Sequence, residues 1–162
     1  MKTNRVIHPL KPIVDKESKV LILGSFPSVI SREKSFYYAN PTNRFWKVLE
    51  GVYKEDIIDR IQFCKKHHIA LWDVIHSCEI YGSNDSSIQN VKCNNIKQLI
   101  QATKIQVIFT TGSKASSLYK KYIHLPIEHI SLPSTSSANA KMHLDDLIEY
   151  YSIIREYTDE KD

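Results

Sequence analysis

The run Lys19-Val-Leu-Ile-Leu23, closed by Gly24, constrains the fold of this chain more than any other stretch. It is short, apolar without alternation and stopped by a glycine, which fits a central strand covered on both faces. Ile69-Ala-Leu-Trp-Asp-Val-Ile75 and Gln106-Val-Ile-Phe-Thr110 read the same way, and Ile127-Glu-His-Ile-Ser131 is predicted as the last strand. Segments of helical period lie between them. Phe45, Trp46, Leu49 and Val52 form one, with Asn43 as its expected N-cap; Ile58, Ile61 and Phe63 form a second over residues 57–67. A third covers residues 95–103, a fourth follows Gly112 with Ala115, Leu118 and Tyr119, and a fifth, amphipathic, is expected over 144–157. Strand and helix in alternation predict an α/β fold, a mostly parallel α/β/α sandwich.

With 162 residues and 42% hydrophobic content, the chain can bury one good core and is too short for two, so one domain is expected over residues 1–162, with its core at about 19–155. Cys64, Cys78 and Cys93 show neither a C-x-x-C pair nor a histidine at ligand spacing, which predicts reduced structural thiols and no metal site. No apolar run approaches the roughly 20 residues of a membrane span, and Met1-Lys-Thr-Asn-Arg-Val lacks a signal-peptide core. A cytoplasmic, monomeric protein is expected. The net charge of +4 is compatible with a polyanionic partner without requiring one.

In open parallel sheets, ligands occupy the crevice beyond the carboxyl ends of the strands. Residues 24–43, 75–94, 111–114 and 132–139 fall there, and the unusual residues cluster on three of these four loops. Gly24-Ser-Phe-Pro-Ser28 lacks the later glycines and the lysine of nucleotide-phosphate loops; by itself it reads equally well as a strand-to-loop turn. Tyr37 and Tyr38 precede Asn40-Pro41 in a segment without periodicity, where an aromatic face can stack on a flat ligand, while Phe45 and Trp46 read as core. Asn40 and Asn43 serve equally as turn former and helix cap, or as amides that hold water or a base edge. Leu132-Pro-Ser-Thr-Ser-Ser-Ala-Asn139 is a solvated loop, or a set of hydroxyls and N–H groups able to follow a phosphodiester backbone. There is no G-x-S-x-G elbow, and the histidines are scattered.

As an ordered set, these segments resemble the uracil-DNA glycosylase superfamily, most closely its deoxyinosine (hypoxanthine) branch. The resemblance is carried by Leu23-Gly-Ser-Phe-Pro-Ser28, Ser31, Tyr37-Tyr-Ala-Asn-Pro41, Asn43-Arg-Phe-Trp46, Leu71-Trp-Asp73, Gly82-Ser-Asn-Asp-Ser-Ser-Ile88 and Leu132-Pro-Ser-Thr-Ser-Ser-Ala-Asn139. It implies a central four-stranded parallel sheet, DNA containing a deaminated base as the partner, a base turned out of the stack into a pocket, cleavage of its bond to deoxyribose, and no metal or organic cofactor. Uracil/thymine mismatch activity and a catalytically inert DNA-binding relative are the alternatives.

At Phe26 the mismatch-specific relatives carry an asparagine, and the uracil enzymes an aspartate, that holds the attacking water. Asn43 is therefore the first candidate for the catalytic role and Asn40 the second, each orienting water and stabilising sugar charge through its carbonyl dipole. The resemblance places the base pocket at Gly24, Ser25, Phe26, Pro27 and Tyr38, with Phe26 and Tyr38 flanking the base and the N–H groups near Ser25 and Phe26 donating to its carbonyl. DNA contacts are expected from Ser28, Ser83, Asp85, Pro133, Ser134, Thr135, Ser136 and Ser137. Leu132 stands where many relatives have a histidine, which favours a purine substrate.

Overall fold

The computed structural model describes residues 4–81 and 84–159. Along the chain run β1 (Asn4–Ile7), β2 (Val20–Gly24), α1 (Val29–Lys34), α2 (Phe45–Tyr53), α3 (Arg60–Lys66), β3 (Ile69–Asp73) and β4 (Ile75–Ile80). After a 3₁₀ turn at Asp85–Ser87 come β5 (Gln89–Cys93), α4 (Ile96–Gln101), β6 (Val107–Thr111), α5 (Ser113–Tyr122), β7 (Glu128–Leu132) and α6 (Leu144–Tyr151). A 3₁₀ turn at Ser152–Ile154 and α7 (Arg155–Thr158) complete the order.

The apolar runs form one parallel sheet in the order β3-β2-β6-β7, with Leu21 opposite Ala70 on one side and Ile108 on the other. All five residues of β2 are buried, as a strand covered on both faces requires. The period of two divides them between two cores. Val20 and Ile22 join Phe45, Leu49, Leu147 and Tyr151 of α2 and α6. Leu21 and Leu23 join Ile96, Leu118 and Tyr119 on the α4 and α5 side. The result is the expected α/β/α sandwich around a four-stranded parallel sheet.

Three features depart from the sequence reading. The run 69–75 is two strands: at Val74 the chain leaves the parallel sheet, giving its N–H to the Gly24 carbonyl (2.9 Å), and Ile75 donates to the Ser25 carbonyl (3.1 Å). Beyond this break, β4 pairs antiparallel with β1 and β5 in a second sheet of order β1-β4-β5, within the stretch read as a polar loop. The helix expected from residue 57 starts at Arg60, because the Asp59 side chain caps it by accepting the Gln62 N–H, and Ile58 is left outside at 98% exposure. The last helix is interrupted by the 3₁₀ turn; its beginning is as expected, with the Asp146 carboxylate accepting the His143 N–H.

Candidate active site

A cavity of about 290 Å³ opens beyond the carboxyl ends of β2, β3 and β6. This is the lower end of small-ligand pockets, suited to a single ring system. It brings together Gly24, Ser25, Phe26, Pro27, Ser28, Tyr38, Asn40, Asn43, Ser134, Thr135 and Ser136 from the sequence-derived candidates. Pro133 and Ser137 are not among its lining residues. The Ser83 and Asp85 side chains lie outside the described residues.

The floor is made by a residue to which the sequence reasoning, although it counted it in the family resemblance, gave no role in the site. Asp73, the last residue of β3 and 4% exposed, lies beside Gly24 in the parallel register. Its Oδ1 would be 2.5 Å from a Cβ on Gly24, so the glycine leaves room for the carboxylate. Its Oδ2 is held at 2.7 Å by Nε2 of buried His8. His8 is fixed in turn: its N–H donates to the His76 carbonyl, and its Nδ1 lies 2.9 Å from the Leu10 carbonyl and 3.2 Å from the Leu10 N–H. The His8 contact occupies Oδ2, and among the described residues no hydrogen bond reaches Oδ1 of this cavity-lining carboxylate. Among the described residues, neither the Ser25 nor the Phe26 N–H meets an acceptor, which leaves donors next to this acceptor.

The aromatic walls are fixed by their packing. One face of the Tyr38 ring stacks on Phe45 at 3.8 Å and 11°, and its hydroxyl meets the Thr111 hydroxyl at 3.2 Å. Its φ of 51° sets the backbone turn that carries it there. Phe26, 9% exposed, stands edge-on to His8, with the Arg32 guanidinium 5.4 Å from its ring centroid. Burial, reinforced by the Asp73 charge, holds the Tyr37 and Tyr38 phenols well above their ordinary value, so both stay neutral hydroxyls.

Both asparagines reach the cavity with their oxygens already occupied. Asn43 Oδ1 accepts the Phe45 N–H (2.9 Å) and the Thr135 hydroxyl (2.8 Å). Arg44 is the formal cap of α2, yet Asn43 does the capping work one residue earlier. Asn40 Oδ1 accepts the N–H (3.0 Å) and hydroxyl (2.9 Å) of Thr42. Two donors fill a carbonyl oxygen, and the backbone N–H groups fix which end of each amide is oxygen. Each side chain therefore presents its NH₂, not the carbonyl dipole expected from sequence. Thr135, expected on the DNA-facing surface, is 2% exposed and supports Asn43 instead. Ser134 packs close to Gly112, whose φ of 90° turns β6 into α5.

The cavity thus joins a glycine and a buried carboxylate at the strand ends with amide and hydroxyl side chains from the loops. The profile of the uracil DNA glycosylase superfamily matches residues 12–155. The chain belongs to this superfamily. It is 31% identical over 149 residues to a hypoxanthine DNA glycosylase of Methanosarcina acetivorans, covering 88% of this chain and 94% of that protein. It is 29% identical over 136 residues to a hypoxanthine DNA glycosylase of Methanosarcina barkeri, covering 80% and 86%. The solution NMR structure of a candidate uracil DNA glycosylase from Methanosarcina acetivorans superposes with a TM-score of 0.80 at 30% identity, covering 94% of this chain and 99% of that one. Among the described residues, this superfamily member has no group of three His, Cys, Asp or Glu placed to hold a metal ion, and no helix long and apolar enough to cross a membrane.

Proposed function

We propose that this protein is a monofunctional DNA glycosylase that removes a deaminated base, hypoxanthine foremost, from DNA and leaves an abasic site. The observation that carries the reading is the floor: Asp73 Oδ1 as acceptor beside the Ser25 and Phe26 N–H donors. Hypoxanthine presents its N1–H next to the C6 carbonyl, which is the complementary order. Adenine presents a ring lone pair next to an amino group, so both contacts would be frustrated, and a site built for hydrogen bonds rejects such a mismatch strongly. Deamination is thus what the floor reads once the nucleotide is flipped in. Uracil carries the same N–H and carbonyl pair; hypoxanthine is placed first because both curated relatives are hypoxanthine DNA glycosylases.

For the chemistry, the Asn43 NH₂, which meets no acceptor among the described residues, holds the attacking water by its oxygen, with Asn40 as the rival. An amide does not deprotonate water, so the bond to the base breaks ahead of attack, aided by hydrogen bonds to the departing base. Lysine is absent from the residues lining the cavity, which supports hydrolysis over a Schiff-base lyase step. The protein acts as a monomer and needs no cofactor.

The test is release of free base from duplexes carrying one hypoxanthine, uracil or xanthine. Hypoxanthine release with adenine untouched is expected. Preference for uracil would transfer the function to the pyrimidine lesion, and DNA binding without release of any base would refute the enzyme.

A further inference from the structure

The loop after β7 is rich in hydroxyls, yet residues 132–139 contain no lysine or arginine with which to attract a phosphate. The charge comes from Arg44. Its Nη2 donates to the Ser136 carbonyl (2.8 Å) and the Asn139 carbonyl (3.1 Å), its Nε to the Thr135 carbonyl (3.4 Å) and its Nη1 to the Met142 carbonyl. The Arg44 main-chain N–H also donates to the Thr135 carbonyl (3.0 Å).

Two consequences follow from this geometry. A rigid fork of donors fixes the shape of a loop that has no regular secondary structure of its own. All the guanidinium's partners are neutral carbonyls, and no ion pair among the described residues involves Arg44, so its charge stays uncompensated behind the loop. With the carbonyls drawn inward, the Thr135 and Ser137 N–H groups meet no acceptor among the described residues. Such N–H groups over a cation make an anion cradle.

We propose that Arg44 is the positioning residue for the DNA backbone: it holds the 133–142 loop in its phosphate-gripping shape and supplies the positive charge that the loop lacks. The role rests on the reading of DNA as the substrate. A half-buried charge is screened less than a surface one, so it acts through the thin loop in front of it.

The experiment compares wild type, Arg44→Met and Arg44→Lys in binding to a hypoxanthine-containing duplex across a salt series, together with single-turnover excision at saturating enzyme. Arg44→Met is expected to weaken binding about tenfold or more and to flatten the log–log salt dependence by up to about 0.9, the contribution of one phosphate contact. Its loss of affinity should exceed its loss of single-turnover rate. Arg44→Lys should recover the salt slope, since the charge remains, but not the full affinity, since the fork is gone. A loss that falls only on the saturated rate, or an unchanged slope in folded Arg44→Met, overturns the charge assignment. Should Arg44→Met fail to fold, Arg44→Lys decides alone: wild-type affinity there overturns the positioning role. Wild-type protein that binds no DNA would instead refute the function itself.

Discussion

Gly24→Ala adds one methyl group where the structure has no room for it. The new Cβ would stand 2.5 Å from Asp73 Oδ1 and 3.4 Å from the Tyr38 hydroxyl. Asp73 cannot step aside freely, because its other oxygen is held by His8 at 2.7 Å and the pair is buried. Either the strand shifts, at the roughly 1–3 kcal/mol of an overpacked core, or the charged hydrogen bond breaks, at about 1.5–3 kcal/mol. For a domain of this size each kcal/mol lowers Tm by about 2–4 °C, so a fall of about 2–12 °C is expected. Because the base-reading oxygen moves, hypoxanthine excision should drop by at least about tenfold, the equivalent of 1.4 kcal/mol. Thermal unfolding of wild type, G24A, D73A and the double variant isolates the cause as a double-mutant cycle. Without the Asp73 carboxylate, the alanine should cost nothing measurable. If G24A is equally destabilising in the D73A background, the carboxylate is not what occupies the space, and the account of the floor fails.

Two more variants probe the walls. Asn43→Asp keeps both accepted hydrogen bonds and removes the NH₂, so stability should hold while excision falls about 10- to 100-fold; wild-type single-turnover rates would remove the amide from the mechanism. Tyr151→Phe deletes the hydroxyl that a fully buried Tyr151 donates to the Pro133 carbonyl at 2.6 Å, leaving that carbonyl unpaired. Urea denaturation should show a loss of about 1–3 kcal/mol, and an unchanged midpoint would mean that water or another donor takes the hydroxyl's place.

The sheet was legible in the sequence because buried parallel strands write apolar runs, and three such runs sit at β2, β3 and β6, while the edge strand β7, with Glu128 and His129, shows a weaker pattern. The second sheet was not, since β1 is short and mostly exposed and its partner β4 looks like the start of a polar loop. The same locality explains the site. Gly24, Asn40 and Asn43 stood out in their own neighbourhoods and do reach the cavity. Asp73 read as the interior of a strand and as part of the family resemblance without a role, and His8 as one of several scattered histidines, because what distinguishes them is each other. A carboxylate inside an otherwise apolar run, Leu71-Trp-Asp-Val-Ile75, was the available signal, since burying a charge demands a partner. The saturation of the two asparagine oxygens was legible in part, because the turn at Asn40 and the cap at Asn43 use donors two residues on; the Thr135 hydroxyl on Asn43 was not, since it comes from 92 residues away.

The hydrogen bonds that build the pocket also say when it comes into being. His8 reaches Asp73 across 65 residues, Tyr38 reaches Thr111 across 73, Asn43 reaches Thr135 across 92, and Arg44 reaches Met142 across 98. Closing such long loops carries an entropic cost that must be met before the contacts form. During synthesis the strands β2 and β3 leave the ribosome early, but the wall facing Asn43 is still missing until the segment after β7 has emerged. A chain that has reached only β3 therefore has a floor without an opposite wall, and the cavity closes only once the segment after β7 has joined it.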